Sequence, residues 1–182
     1  TSVAEYGKYF SWGETSNSIR YSFYKKYDPL YKETTTSFVD EDGFVVTETK
    51  MGYVKYVRQK DAEKIGYNGF YDDKTELEKG DDAATVLWGE KWKMPTMEQW
   101  QELRNECTWK PVTLNDINGF KVVGKNGNYI FLPKAGWSFE GFAKNGVGEY
   151  LCYWASTLSE KSEEADGFCI GVDGMSVVPT RY

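Results

Sequence analysis

Two dipeptides limit the folds open to this chain: Asn126-Gly127 and Asp173-Gly174, each set between short runs rich in β-branched and aromatic residues. Both pairs tolerate the positive φ that a two-residue hairpin turn demands. They predict one hairpin from strands at 120–125 and 128–132, closed by Pro133, and a second from strands at 168–172 and 175–178. Ser37-Phe38-Val39 and Phe44-Val45-Val46-Thr47, joined by Asp40-Glu41-Asp42-Gly43, predict a third. Residues 53–57 and 151–157 have the composition of further strands. Tight turns make antiparallel neighbours, whereas a doubly wound parallel sheet needs helical crossovers between its strands.

Two helices are expected in the middle of the chain. Asp81 or Asp82 caps a short one whose apolar positions Ala83, Val86 and Leu87 fall at i, i+3 and i+4, with Gly89 ending it. Pro95 breaks any earlier helix, and Thr96-Met97-Glu98-Gln99 is a capping box that starts the second. Met97, Trp100, Leu103 and Cys107 then form one apolar stripe, and Glu98, Glu102 and Glu106 fall almost opposite it. Paired carboxylates do acid–base work in many enzymes, but these three read as a solvated helix face. Helices and hairpins without βαβ alternation give the α+β class. Neither an internal repeat nor a low-complexity linker interrupts the 182 residues, so one domain is expected over 1–182.

Composition narrows the function. There is no histidine, which removes Ser-His-Asp hydrolysis and His-ligated metal chemistry. A net charge of -6 opposes binding to nucleic acid, and no apolar run is long enough to cross a bilayer. The remaining peculiarity is 17 % aromatic residues. In the first third, Tyr9, Phe10, Trp12, Tyr21, Phe23, Tyr24, Tyr27 and Tyr31 surround Lys25 and Lys26. That mixture resembles a base-stacking platform, but with this charge it reads as a packed loop wall. The acids Asp72, Asp73, Glu76, Glu78, Asp81 and Asp82 lack EF-hand spacing and alternate with Lys74 and Lys79, so a solvated loop is expected there rather than calcium. Residues 159–166 read as a second acidic turn. Cys107, Cys152 and Cys169 form no CxxC pair and are expected as free, packed thiols.

Residues 136–150 are rich in glycine, lack periodicity and carry Trp137, Phe139, Phe142 and Tyr150, which predicts a long loop of functional kind. Trp137, Phe139, Glu140, Asn145 and Tyr150 are its candidate ligand-binding residues: aromatic faces pack on sugar rings or apolar side chains, and the polar groups fix orientation. No catalytic residue, metal ligand or cofactor is assigned. Two carboxylates suffice for glycoside hydrolysis, but the sequence places no such pair across a cleft.

Several segments in order resemble a known family. Asp81-Asp82-Ala83-Ala84, Trp88-Gly89-Glu90-Lys91-Trp92-Lys93-Met94-Pro95-Thr96, Glu98 and Leu103 are followed by Cys107-Thr108-Trp109, Asn118-Gly119-Phe120 and Gly124-Lys125-Asn126-Gly127-Asn128. Ile130-Phe131-Leu132-Pro133, Ala135-Gly136 and Tyr153-Trp154-Ala155-Ser156-Thr157 continue the series, and Glu5 to Thr15 (EYGKYFSWGET) precedes it. Together they resemble the Fibrobacter succinogenes major paralogous domain, a family of surface proteins of gut Bacteroidetes.

The resemblance implies a C-type-lectin-like fold with two short helices, antiparallel strands and long loops, and an insertion around 32–65. It places Trp12, Trp88, Trp92 and Trp154 in the scaffold. The calcium-dependent lectin motifs EPN, QPD and WND are absent, Trp154-Ala155-Ser156 lacking the oxygen ligands, and Val177 stands where the family has arginine. Cys152 and Cys169 lie too far apart in sequence to suggest the reactive cysteine pair of the related formylglycine-generating enzymes. The expected function is a non-enzymatic, extracellular or cell-surface binding module for a glycan, peptide or protein. The alternative is a structural domain of a larger surface or fimbria-like assembly, since the family's first strand has no counterpart ahead of Glu5 and would leave a sheet edge unpaired.

Overall fold

A computed structural model describes residues 6–16, 30–64, 67–139, 143–171 and 174–177. Within them lie two α-helices and a set of small sheets whose neighbouring strands are all antiparallel, the α+β arrangement. Tyr21, Phe23, Tyr24 and Tyr27 lie outside the described residues.

Strands β1 (Tyr31–Val39) and β2 (Val45–Tyr53) form the first hairpin. It is much longer than its turn signal suggested, because threonine and serine continue the ladder where apolar alternation stops. Thr35 and Thr49 join hydroxyls at 3.2 Å, as do Ser37 and Thr47 at 3.1 Å. At the tip, the Asp40 carboxylate accepts from the backbone N–H groups of Asp42 and Phe44.

The strand expected at 53–57 is absent. Tyr53 ends β2, and Tyr56 takes a left-handed φ of 60°. A carboxylate replaces the ladder there, since Asp72 accepts from the N–H groups of Tyr56 (3.1 Å) and Val57 (3.0 Å). A single 3₁₀ turn, Gln59–Asp61, follows.

Helix α1 (Ala83–Trp88) is capped by Asp82, which accepts from the Thr85 N–H, and Gly89 follows its last turn. Its expected apolar face fails: Ala83 is buried, but Val86 and Leu87 are exposed. The helix is held by polar contacts instead. Asp82 is 1 % exposed and uses its second oxygen to accept from the Met94 N–H at 2.9 Å. Helix α2 (Met97–Glu106) has the predicted capping box, with Thr96 and Gln99 satisfying each other's N–H groups. Met97 and Trp100 are buried and Leu103 is half-buried, while Cys107 ends the helix in extended conformation. Glu98, Glu102 and Glu106 are exposed.

Strands β3 (Thr108–Leu114), β4 (Ile117–Val123) and β5 (Tyr129–Pro133) form one sheet with β4 central. Pro111 sits in the outer strand β3, where a missing N–H is tolerated. Asn115 and Asp116, at φ 49° and 64°, make the tight turn between β3 and β4. The turn at Asn126-Gly127 is wider than predicted: pairing ends at Val123 opposite Tyr129, and Gly124 donates to the Asn128 carbonyl.

Strands β8 (Leu151–Leu158), β9 (Ala165–Gly171) and β10 (Gly174–Val177) form another sheet with β9 central. Gly174 pairs with Gly171, so it lies inside the strand rather than in the turn; Val172 and Asp173 lie outside the described residues. The outer edge of β8 is occupied by neighbouring chain, with Ser156 N–H donating to Pro95 and Leu77 N–H donating to Ser156.

Two apolar clusters flank β8. Leu151 and Ala155 pack with Met97, Trp100, Phe168 and Ile170, and the Trp100 ring stacks on Phe168 at 4.9 Å between centroids. Leu158 belongs to the other cluster, with Trp12, Leu30, Tyr56, Val57 and Leu77. A register shift between Trp154 and Leu158 lets one strand serve both. The buried indole of Trp12 donates to the Ala155 carbonyl and the half-buried one of Trp154 to that of Phe10, both at 2.9 Å.

Candidate functional site

The segment expected as a long loop is a hairpin. Strands β6 (Trp137–Phe139) and β7 (Ala143–Asn145) pair with Trp137 opposite Asn145 and Phe139 opposite Ala143. A backbone clasp closes its base: Gly136 N–H donates to the Tyr150 carbonyl at 2.7 Å, and Tyr150 N–H donates to Gly146 at 2.8 Å. Irregular composition hid this pairing, because three-residue strands are too short to show a period of two.

The hairpin is seated on the N-terminal segment. The Tyr9 hydroxyl donates to the Ala135 carbonyl at 2.6 Å, and the Tyr6 hydroxyl accepts from Asn118 N–H at 3.2 Å. Lys144 reaches over the Tyr9 ring, 4.9 Å from its centroid. Burial, reinforced by Tyr6, keeps the Tyr9 hydroxyl protonated above the usual tyrosine range.

Of the five candidate binding residues, three are brought together. Trp137 is 42 % exposed and meets the half-buried Tyr150 edge-on, with ring centroids 5.2 Å apart. Asn145 lies directly across the ladder from Trp137, so the two side chains share a face. Glu140 and Phe142 lie outside the described residues, as does the side chain of Phe139. Gly146 makes the aromatic contact possible. Its φ is +63°, and a Cβ there would come within 2.4 Å of the Tyr150 ring and 3.0 Å of Trp137. An open indole face beside an amide offers an apolar surface with a polar group to orient what lands on it.

A second aromatic feature lies at the surface, where the resemblance implies scaffold. Trp88 and Trp92 are 67 % and 58 % exposed, and their rings meet edge-on at 5.8 Å. The signal was available: at ~100° per residue, Trp88 stands far round α1 from the buried Ala83. The Thr85 hydroxyl fixes the turn between them by donating to the Trp92 carbonyl at 2.8 Å.

The acidic stretch is occupied by protein groups. Asp72 and Asp73 accept from backbone N–H groups, Glu76 pairs with Lys93, and Glu78 pairs with Lys74 and Lys55. Asp81 takes both Lys55 and the Tyr56 hydroxyl, the latter at 2.6 Å. Among the described residues no group of three or more acidic or cysteine side chains is arranged to hold a metal ion. Among the described residues no helix is long and apolar enough to cross a membrane.

Cys152 and Cys169 are distant in sequence but close in the sheet. They are direct partners on β8 and β9, and all three cysteines are free thiols. Hairpin pairing over a bulge brings together positions that spacing alone keeps apart.

The chain matches no protein-family model, no curated protein and no solved structure.

Proposed function

We propose that this chain is a non-enzymatic binding module of the Fibrobacter succinogenes major paralogous domain type. In this reading it has a C-type-lectin-like fold and acts outside the cell or at the outer cell surface. The 136–150 hairpin displays Trp137, with Tyr150 and Asn145 beside it, to a glycan, peptide or protein. The observation that carries the reading is the half-open indole of Trp137, braced by Tyr150 and by a backbone clasp. Preorganised aromatic surface loses little entropy on binding.

A glycan array probed with the purified chain, followed by calorimetry on any hit, tests this. Binding that falls at least tenfold in Trp137→Ala supports it. Absence of binding, or binding indifferent to that substitution, counts against it.

An assembly role is the second reading, and the β1–β2 hairpin favours it. Phe38, Val39, Phe44 and Val45 are exposed toward its tip, and among the described residues neither strand pairs with a third. Open edges of this kind accept an added strand. Sedimentation over a wide concentration range decides: self-association abolished by Val45→Lys supports assembly, and a persistent monomer opposes it.

A further inference from the structure

Cys152 and Cys169 occupy directly opposed positions on antiparallel strands. Opposed residues in such a ladder have Cα atoms about 4.5–5.5 Å apart, inside the range of roughly 4.4–6.8 Å that a disulfide spans. Side chains directly opposed in this way also project on the same face. Leu151 and Ile170, one position away on each strand, turn into the core beneath α2. The alternation of strands therefore places both cysteines on the other face of the sheet. Each is half-buried rather than sealed.

We propose that Cys152 and Cys169 form a dithiol–disulfide couple, closed by thiol–disulfide exchange with a small disulfide such as oxidised glutathione, which reversibly staples β8 to β9. The Cys152 thiolate attacks one sulfur of the oxidant, the oxidant's S–S bond breaks, and one thiolate leaves and takes up a proton. Cys169 then gives its proton to solvent and attacks the Cys152 sulfur of the mixed disulfide, expelling the second thiolate, which is protonated in turn. The two cysteines lose two hydrogens and two electrons' worth of oxidation state in all, and the oxidant becomes two thiols.

The environment sets the order of events. Interaction with the Cys169 thiol holds the Cys152 thiol below its ordinary range, against the opposing effect of burial. The same contact and burial push Cys169 upward. Cys152 is thus the attacking sulfur, because the thiolate is the nucleophile. Once its charge is consumed in the mixed disulfide, the repulsion that kept Cys169 protonated is gone, and Cys169 resolves the intermediate.

The test uses the reduced, folded full chain incubated with oxidised glutathione, then alkylated and mapped by mass spectrometry. The expected product is a peptide pair linked Cys152 to Cys169 and lacking two hydrogens, with Cys107 alkylated; dithiothreitol restores three alkylatable thiols. Cys169→Ser should stop at a glutathione adduct on Cys152, and Cys152→Ser should react roughly tenfold more slowly. Three free thiols after oxidation, a link through Cys107, or an adduct on Cys152 that persists in the unmutated chain would each overturn the proposal. The unmutated protein gives the decisive reading, so misfolding of either variant cannot obscure it.

Discussion

Ser162 donates both its backbone N–H, at 2.9 Å, and its hydroxyl, at 2.7 Å, to the same carboxylate oxygen of Asp61. The other oxygen holds Lys64 at 2.8 Å, and the Ser162 hydroxyl also accepts from Arg58 N–H. This latch joins the 3₁₀ turn to the acidic turn after β8, where Arg58 donates to the Ser159 carbonyl. The expected solvated turn is therefore pinned at its centre, with Ser162 itself buried.

The latch makes stability depend on acid pH. Burial opposes ionisation of Asp61, but the hydrogen bonds from Lys64 and Ser162 outweigh it and hold the carboxyl at about 2, below the ordinary 3.8. A depressed carboxyl contributes stability fully above its unfolded value, and the contribution is lost as pH falls from about 4 through about 2. Asp61→Asn should cost about 2–4 kcal/mol at neutral pH and flatten this part of the acid limb. Urea denaturation at pH 7 and pH 3 measures both effects; equal stability of the two proteins at pH 7 would refute the account.

Asp82 and Thr96 both cap helices, but they should differ in weight. Asp82 is buried and satisfies N–H groups of Thr85 and Met94, tying α1 to the segment that enters α2. Its removal orphans two donors, so Asp82→Ala should cost about 2–4 kcal/mol. Thr96 caps at the surface, and Thr96→Ala should cost about 1 kcal/mol. Denaturation midpoints giving the reverse order would contradict the assigned roles.

Local signals were legible where a few neighbouring residues decide the structure. The capping box at Thr96–Gln99, the cap at Asp82 and the turn at Asp40–Gly43 needed nothing from elsewhere in the chain. Distant partners were not legible. Asp72 replaces a strand at Tyr56–Val57, and Ser162 reaches Asp61, through contacts that no periodicity encodes. The candidate site shows the same division. The aromatic content of 136–150 marked the segment, but its pairing required Gly136 and Gly146 to be packed against Asn145 and Tyr150.

Exposure should separate the tryptophans by experiment. Trp88 and Trp92 project into solvent, whereas Trp100 is stacked on Phe168 in the core. Trp88→Ala and Trp92→Ala should each change stability by less than about 1 kcal/mol, and Trp100→Ala should cost about 3–5 kcal/mol. Loss of acrylamide-quenchable fluorescence in the first two variants provides a second reading. A large destabilisation in either of them would return these residues to the scaffold.

Gly146→Ala offers a test of the binding surface that leaves every candidate side chain in place. An added Cβ would strike the Tyr150 ring and press on Trp137, in a backbone region that favours glycine. The aromatic pair must separate or the turn must shift, at a cost of about 1–3 kcal/mol. Trp137→Phe, by contrast, retains a ring against Tyr150 and should cost under about 1.5 kcal/mol. If ligand binding depends on the braced indole, Gly146→Ala loses affinity with Trp137 still present, and its near-ultraviolet circular dichroism changes with it. A variant that keeps full affinity while its aromatic signal changes would show that the bracing by Tyr150 is not what binding uses.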